Sequence, residues 1–256
     1  MSLYRIEAVV LNHRYLGEAD KLVTLYSREL GKMKAVAKGA CRPRNRLLAG
    51  TQPYSHTEFS LFKGKSLDQI SQCQLRESFY SLREDLQKMA AAAYIAELYD
   101  LLLEEREKNE ELFYLLLTTL YLLTGSKDWE LCLRYFELRF LSLVGYQPEL
   151  AQCVNCRQTS DLTDLKFSSH LGGILCPRCW GQDQRALNVS LGSIALLKRL
   201  QVTSPRGLKV LRANAFTRKE LRNVLQAYIA YFLPRELKSL SFLKLVQEDE
   251  TLPDKK

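Results

Sequence analysis

Residues 32–46 read Lys32-Met33-Lys34-Ala35-Val36-Ala37-Lys38-Gly39-Ala40-Cys41-Arg42-Pro43-Arg44-Asn45-Arg46, and this stretch decides how the first part of the chain is understood. Met33, Ala35 and Ala37 fall on one side of a period-two pattern, and Lys32, Lys34 and Lys38 fall on the other with Val36. That alternation predicts a half-buried strand with a basic outer face. The strand then runs into four cations within nine residues, where Gly39 and Pro43 prevent regular structure. A flexible basic arm on the end of a basic strand suits phosphate, because guanidinium forks match phosphate oxygens without any base geometry. The plainer alternative is a solvated loop that happens to be basic.

Working outward, four more runs carry strand signals. Tyr4, Ile6, Ala8 and Val10 alternate with Arg5 and Glu7. Leu22–Tyr26 is rich in β-formers, and Tyr54–Phe62 and Leu67–Leu75 follow. Lys63-Gly64-Lys65-Ser66 between the last two reads as a hairpin turn, with Gly64 expected to supply an unusual dihedral. Five short strands in about 75 residues, with no long helical pattern, predict an oligonucleotide-binding (OB) type of barrel. Tyr54, Phe59 and Phe62 are open to two readings, barrel core or stacking platforms for bases.

From Phe79 to Val144 the period becomes helical. Phe79, Leu82, Leu86 and Met89 begin one helix. Glu111–Leu123, apolar almost all round, is a second and reads as central. A third opens on Asp128 as its N-cap and stops at Gly145. Ser190–Gln201 and Thr217–Phe232 are the later helices. The expected class is α+β and multi-domain: an N-terminal OB-type β-barrel followed by an all-helical domain with an inserted zinc knuckle. The expected boundaries are 1–77 for the barrel, 78–150 and 183–246 for the two parts of the helical domain, 151–182 for the knuckle and 247–256 for a polar tail.

The knuckle rests on spacing. Cys153-Val154-Asn155-Cys156 and Cys176-Pro177-Arg178-Cys179 are two C-x-x-C pairs separated by 19 residues. Two residues between thiols let a tight turn bring both sulfurs to one ion, and the interval accommodates a hairpin through Leu165–Ser168 and His170–Leu175. One structural Zn2+ per chain is the expected cofactor. Two disulfides are the alternative, without a secretion signal to support them. Cys41, Cys73 and Cys132 read as ordinary thiols, and His170 as a surface residue. His56-Thr57-Glu58 matches half of a zinc-deaminase signature, but no Pro precedes either cysteine pair, and four thiolates leave no open metal position. No G-x-S-x-G and no Gly-rich phosphate loop occurs, so the chain is read as not an enzyme.

Charge sharpens the reading. The net charge of +8 divides into +7 over residues 1–66, −7 over 67–150 and +8 over 151–256. A basic–acidic–basic layout points to an anionic partner for the outer parts, with a second basic surface drawn from Arg206, Lys209, Arg212, Arg218, Lys219, Arg222, Arg235, Lys238 and Lys244. The most apolar run, Leu112–Leu123, is too short for a membrane span. Arg5 and Glu7 interrupt what would be a signal peptide. No membrane partner is expected.

The order of parts, taken with several local strings, resembles the bacterial RecO recombination-mediator family. Those strings are Ala37-Lys38-Gly39-Ala40 before the arm, Phe136-Glu137-Leu138-Arg139 through Gly145-Tyr146-Gln147-Pro148, Gly172-Gly173-Ile174-Leu175-Cys176, and Leu237-Lys238-Ser239-Leu240-Ser241-Phe242-Leu243. The resemblance implies a non-catalytic cytoplasmic, nucleoid-associated protein of the RecF pathway. It would bind single- and double-stranded DNA, anneal complementary strands and help load recombinase during repair of DNA damage. Implied partners are a RecR-type protein and the tail of single-strand-binding protein. Carried over by residue, the DNA-binding face falls on Lys32, Lys34, Lys38, Arg42, Arg44 and Arg46, and the metal ligands on Cys153, Cys156, Cys176 and Cys179. An RNA- or ribosome-associated OB/zinc-knuckle protein is the alternative.

Overall fold

The computed structural model describes residues 2–159 and 163–249. Its strands are β1 (Leu3–Leu16), β2 (Asp20–Ser27), β3 (Gly31–Ala37), β4 (His56–Phe62) and β5 (Asp68–Glu77), with a one-turn helix α1 (Leu47–Gly50) between β3 and β4. Pairing runs in the order β1-β2-β3-β5-β4 and returns to β1, a closed barrel. The long β1 makes closure possible. Its first half pairs with β4 from Leu3 to Val9, its second half pairs with β2 from Ala8 to Leu16, and a bulge between Val10 and Asn12 bends it at the crossover. The parallel seam is short, joining β3 to β5 only through Ala35–Asp68, Val36–Gln69 and Ala37–Ile70. Ile6, Ala8, Val10, Val23, Leu25, Met33, Ala35, Ala37, Phe59, Leu61 and Ile70 fill the interior.

Alternation fails where it is most informative. Val9 and Leu11, on the outer side of β1, are as buried as Ala8 and Val10. The cause is a helical layer over that face. α2 (Leu86–Leu102, capped by Asp85) and α3 (Glu110–Gly125) both touch β1. Tyr26 on β2 meets Tyr99 of α2 edge to face at 4.9 Å, and its hydroxyl donates to the Asn109 carbonyl. The closing helix α7 (Lys238–Asp249) returns to pack on α2, where Glu97 accepts from the Lys238 and Ser239 amides and from the Ser239 hydroxyl. One compact unit therefore takes in the chain up to Gly125 together with the segment from Leu237 onward, and the second is Ser126–Glu236. Of the expected polar tail, 247–249 continue α7 and 250–256 lie outside the described residues.

The second unit contains α4 (Trp129–Leu143), β6 (Leu165–Ser168), β7 (Gly173–Leu175), β8 (Leu187–Val189), α5 (Leu191–Val202) and α6 (Ala215–Phe232). β6 lies between β7 and β8 in an antiparallel three-stranded sheet. The fold expected from the sequence, an OB-type barrel followed by an all-helical domain, is thus corrected. The helices α2, α3 and α7 belong with the strands of the first unit, and the second unit is itself α+β, because β8 extends the cysteine hairpin into a sheet. The central helix is also different. α3 leaves Tyr114 and Tyr121 exposed, whereas α4 buries nearly every residue, including the Arg134–Glu137 pair at 3.2 Å.

Two glycines show where backbone, not side chain, sets the fold. Gly64 does not supply a positive φ; it lets Leu67 approach, since a Cβ there would lie 1.8 Å from the Leu67 carbonyl oxygen. Gly31, at the start of β3, has φ +67°, and its Cβ would meet the Glu107 carbonyl oxygen at 1.9 Å. Gly31→Ala is therefore expected to destabilise the first unit by about 2–4 kcal/mol, since a left-handed Ala costs about 1–2 kcal/mol before the loop at Glu107 is pushed away. Chemical denaturation measures it, with Gly125→Ala, which meets nothing within 4 Å, as the neutral control.

Candidate nucleic-acid interface and metal centre

The six cations assigned from the sequence divide into two groups. Lys32 is buried; its Nζ donates to the Asp100 carbonyl oxygen at 2.6 Å and lies 4.0 Å from the Asp100 carboxylate. Lys34 pairs with Glu105 at 2.5 Å, and its ammonium holds the Glu105 carboxyl below the ordinary range. The strand that contains them is zipped to the acidic loop after α2, with the Arg106 amide donating to the Lys32 carbonyl oxygen. Opposite charge decides this docking. The run Glu104-Glu105-Arg106-Glu107 sits against the lysine face of β3, a pairing already visible in the sign reversal along the sequence.

Lys38, Arg42, Arg44 and Arg46 remain exposed. Among the described residues, no ion pair involves any of them. The segment holding them is less flexible than its composition suggests. Gly39 turns at φ +66° while its amide donates to the Asp20 carboxylate at 2.7 Å. The Cys41 amide reaches the Ala19 carbonyl, and successive turns join Arg42 to Gly39 and Asn45 to Arg42. The Asn45 side chain accepts from the Leu47 amide and donates to the Lys38 carbonyl oxygen, so one residue ties both ends of the arm. A pinned loop presents its guanidinium groups with less conformational entropy to lose on contact.

The remaining candidates resolve simply. Phe59 is core and Phe62 sits at the end of β4, more than a third exposed. His56 meets the Glu7 carboxylate at 2.8 Å, and Glu58 pairs with Arg76, so both members of the H-x-E are engaged by neighbours on the sheet. In the last quarter, Arg218 and Arg222 are engaged by Asp128 and Glu130, while Arg206, Lys209, Arg212 and Lys219 stay exposed. Arg218 grips Asp128 with two parallel bonds of 2.6 and 2.7 Å, and Asp128 also caps α4 through the Leu131 amide. Burial raises the Asp128 carboxyl, but the Arg218 and Leu131 bonds outweigh it and hold its pKa below the ordinary value. A depressed folded pKa adds stability above the unfolded value near pH 3.9 and loses it as pH falls toward the folded one. Asp128→Asn should cost about 1 kcal/mol at pH 7, discounted for the pair's partial exposure. Below about pH 4 the variant and the parent should converge in urea titrations.

The four knuckle cysteines do converge. Their sulfur atoms all lie within 4.8 Å of one another, with Cys156 and Cys176 at 3.6 Å. Tetrahedral Zn–S bonds of about 2.3 Å place sulfurs about 3.8 Å apart, so the cluster has the right size. A disulfide needs about 2.05 Å, and all seven cysteines are free. Cys153, Cys176 and Cys179 are buried while Cys156 is exposed. Each pair closes a tight turn: the Arg157 amide donates to the Cys153 carbonyl with Arg157 at φ +63°, and the Cys179 amide donates to the Cys176 carbonyl. Burial raises the Cys153 thiol, yet the amides of Cys156, Cys176 and Asn155 aimed at it bring it down to about 6. The Asn155 side chain donates to the Cys179 sulfur at 3.3 Å. A soft four-sulfur donor set ringed by N–H donors fits a closed structural metal site. His170 is exposed and bonded to the Tyr231 hydroxyl, apart from the donor set.

Two family descriptions match the chain, one for each terminal part of the same protein. Residues 1–79 match "Recombination protein O N terminal", and residues 83–241 match "Recombination protein O C terminal". Among curated relatives, the DNA repair protein RecO of Symbiobacterium thermophilum is 44% identical over 246 residues, covering 95% of this chain and 97% of that protein. The DNA repair protein RecO of Pelotomaculum thermopropionicum is 42% identical, covering 95% and 94% respectively, and that of Desulforamulus reducens is 38% identical with the same coverage. With both halves matched and relatives aligned nearly end to end, this chain belongs to the RecO family.

Proposed function

We propose that this chain is a non-catalytic mediator of DNA repair and recombination, of RecF-pathway type, which binds single- and double-stranded DNA and anneals complementary strands. One observation carries the reading: four cations, Lys38, Arg42, Arg44 and Arg46, stand exposed on a pinned loop while the lysines before them are neutralised by the chain's own carboxylates. Such a loop tracks phosphates and lowers the repulsion between two strands, and it has no reacting group to offer. Lys32 and Lys34 act on the loop indirectly, by docking β3 onto the end of α2 and the acidic loop after it.

Cys153, Cys156, Cys176 and Cys179 would hold one Zn2+, which supplies a cross-link across the hairpin and no open position for chemistry. A RecR-type partner, the tail of single-strand-binding protein and a cytoplasmic, nucleoid-associated location follow from the family resemblance. Among the described residues, no helix is long and apolar enough to cross a membrane. Annealing of complementary strands, with and without single-strand-binding protein, tests the reading. The combined Arg42→Ala, Arg44→Ala, Arg46→Ala variant should anneal at least tenfold more slowly, and an unchanged rate rejects the assignment.

A further inference from the structure

The second unit carries an aromatic surface that neither the metal centre nor the basic loop uses. Tyr146, in the turn that ends α4, lies flat on Phe232 at the end of α6, with ring centroids 3.9 Å apart and planes 16° from parallel. Tyr231 meets Phe232 edge to face at 5.3 Å, and the His170 ring meets Tyr231 at 5.9 Å while bonding its hydroxyl at 2.9 Å. Beneath them Tyr228 supports Phe232, and Phe167 of the cysteine hairpin supports Tyr228. The lower rings are core. The upper ones are open to solvent: Tyr146 is 42% and Tyr231 52% exposed. A parallel ring pair with its outer ring exposed, resting on an aromatic stack, offers a flat π-face of the kind on which bases stack.

The surroundings select the ligand. Pro148, two residues beyond Tyr146, accepts from the Gln201 side chain, and the Gln201 carbonyl accepts from Arg139. Lys198 is exposed one helical turn before Gln201, followed by exposed Arg199. From Leu191 to Lys219 the chain has seven cations and not one carboxylate. A flat ring face with the cations of α5 on one side, and Glu149 and Asp183 on the hairpin side, is complementary along its α5 edge to a polyanion whose units carry flat rings, and a duplex hides those rings in its stack.

We infer that Tyr146, backed by Phe232, and Tyr231 form a platform on which bases of single-stranded DNA stack, while Arg139 and Lys198 lie on the side where its phosphates pass. The inference rests on the DNA-binding reading above and deepens it: the loop grips any phosphate chain, whereas this platform accepts only strands with unpaired bases. One chain then presents a sequence-neutral base contact on its second unit and a phosphate contact on its first.

The test compares an oligothymidylate with an abasic strand of equal length, which has the same phosphates and no bases, on the full chain at fixed salt. The wild type should bind the oligothymidylate about tenfold more tightly. Tyr146→Ala with Tyr231→Ala should bring the two affinities together and leave the salt dependence alone, whereas Tyr146→Phe with Tyr231→Phe should retain the preference. The Arg42→Ala, Arg44→Ala, Arg46→Ala variant should weaken both strands and keep their ratio. Equal affinity for the two strands in the wild type, or a preference that survives the alanine pair, overturns the platform while the loop stands. Binding of neither strand overturns both readings. Should the alanine pair fold poorly, 2-aminopurine placed in the strand reads stacking on the wild type directly. Quenching on binding supports the platform, and unquenched fluorescence rejects it.

Discussion

Cys176→Ser is expected to release the metal and unfold the second unit's sheet at a temperature about 13 °C lower than the parent. The site joins two turns distant in sequence, and the apolar cluster around its sulfurs is small, with Leu175 buried and Val154, Trp180 and Ala186 half-buried against it. So small a cluster does not hold the two turns together by itself, and a bound ion would supply the difference. Structural zinc in small domains contributes about 10–16 kcal/mol to folding, so losing one of four thiolates at a loss of about 3 kcal/mol is a conservative expectation. For a unit of roughly a hundred residues that shifts the midpoint by the stated amount. Cys176 is the informative choice because its sulfur touches Cys156 while its amide supports Cys153, which links the two pairs. Metal content by emission spectroscopy and melting by calorimetry check the prediction. Cys41→Ser, whose sulfur donates to the Asp20 carbonyl, should leave metal content untouched. A Cys176→Ser protein that melts normally with one zinc per chain would remove Cys176 from the donor set.

The cysteine site was legible because its information is local: two residues within each pair fix the turn, and the interval fixes a hairpin. The strands were legible for the same reason, since period two survives wherever one face is buried. Burial on both faces erases the period, which is why Val9 and Leu11 gave no hint of the helices covering β1. β8 is three residues long and pairs with a strand some twenty residues earlier, too short to show any pattern of its own. The division of the six cations was hidden for a different reason. Alternation places Lys32, Lys34 and Lys38 on one side of a strand, but it says nothing of what that side faces. Only the acidic block's opposite sign carried the hint, and the fold turned it into ion pairs with Asp100 and Glu105. The aromatic platform joins residues 146 and 170 to 231 and 232, from segments with no shared local pattern.

The salt dependence of strand binding gives the sharper trial of the loop. Four phosphate contacts on a single strand predict a slope of log K against log salt of about −2.8, and removing Arg42, Arg44 and Arg46 together leaves about −0.7. Between 50 and 200 mM salt the wild type should therefore weaken about 50-fold and the triple variant under about threefold. If the two lines meet near 1 M salt, where counterion release no longer favours binding, the variant's loss at 50 mM is on the order of a few hundred-fold. Folding should be unaffected, because the three guanidinium groups are exposed and the loop is tied by Asn45, Gly39 and backbone bonds that the substitutions leave in place. Lys34→Ala is the discriminating control. It removes a cation of the same face and leaves Glu105 without its partner, so a surface that bound DNA by net charge alone would lose affinity with it. A loop acting through its own four cations would keep its slope within about half a contact of the parent. A triple variant whose slope matches the wild type, or a Lys34→Ala protein that flattens it as much, would move the phosphate contact off the loop and onto the remaining basic surface around Arg206, Lys209 and Arg212.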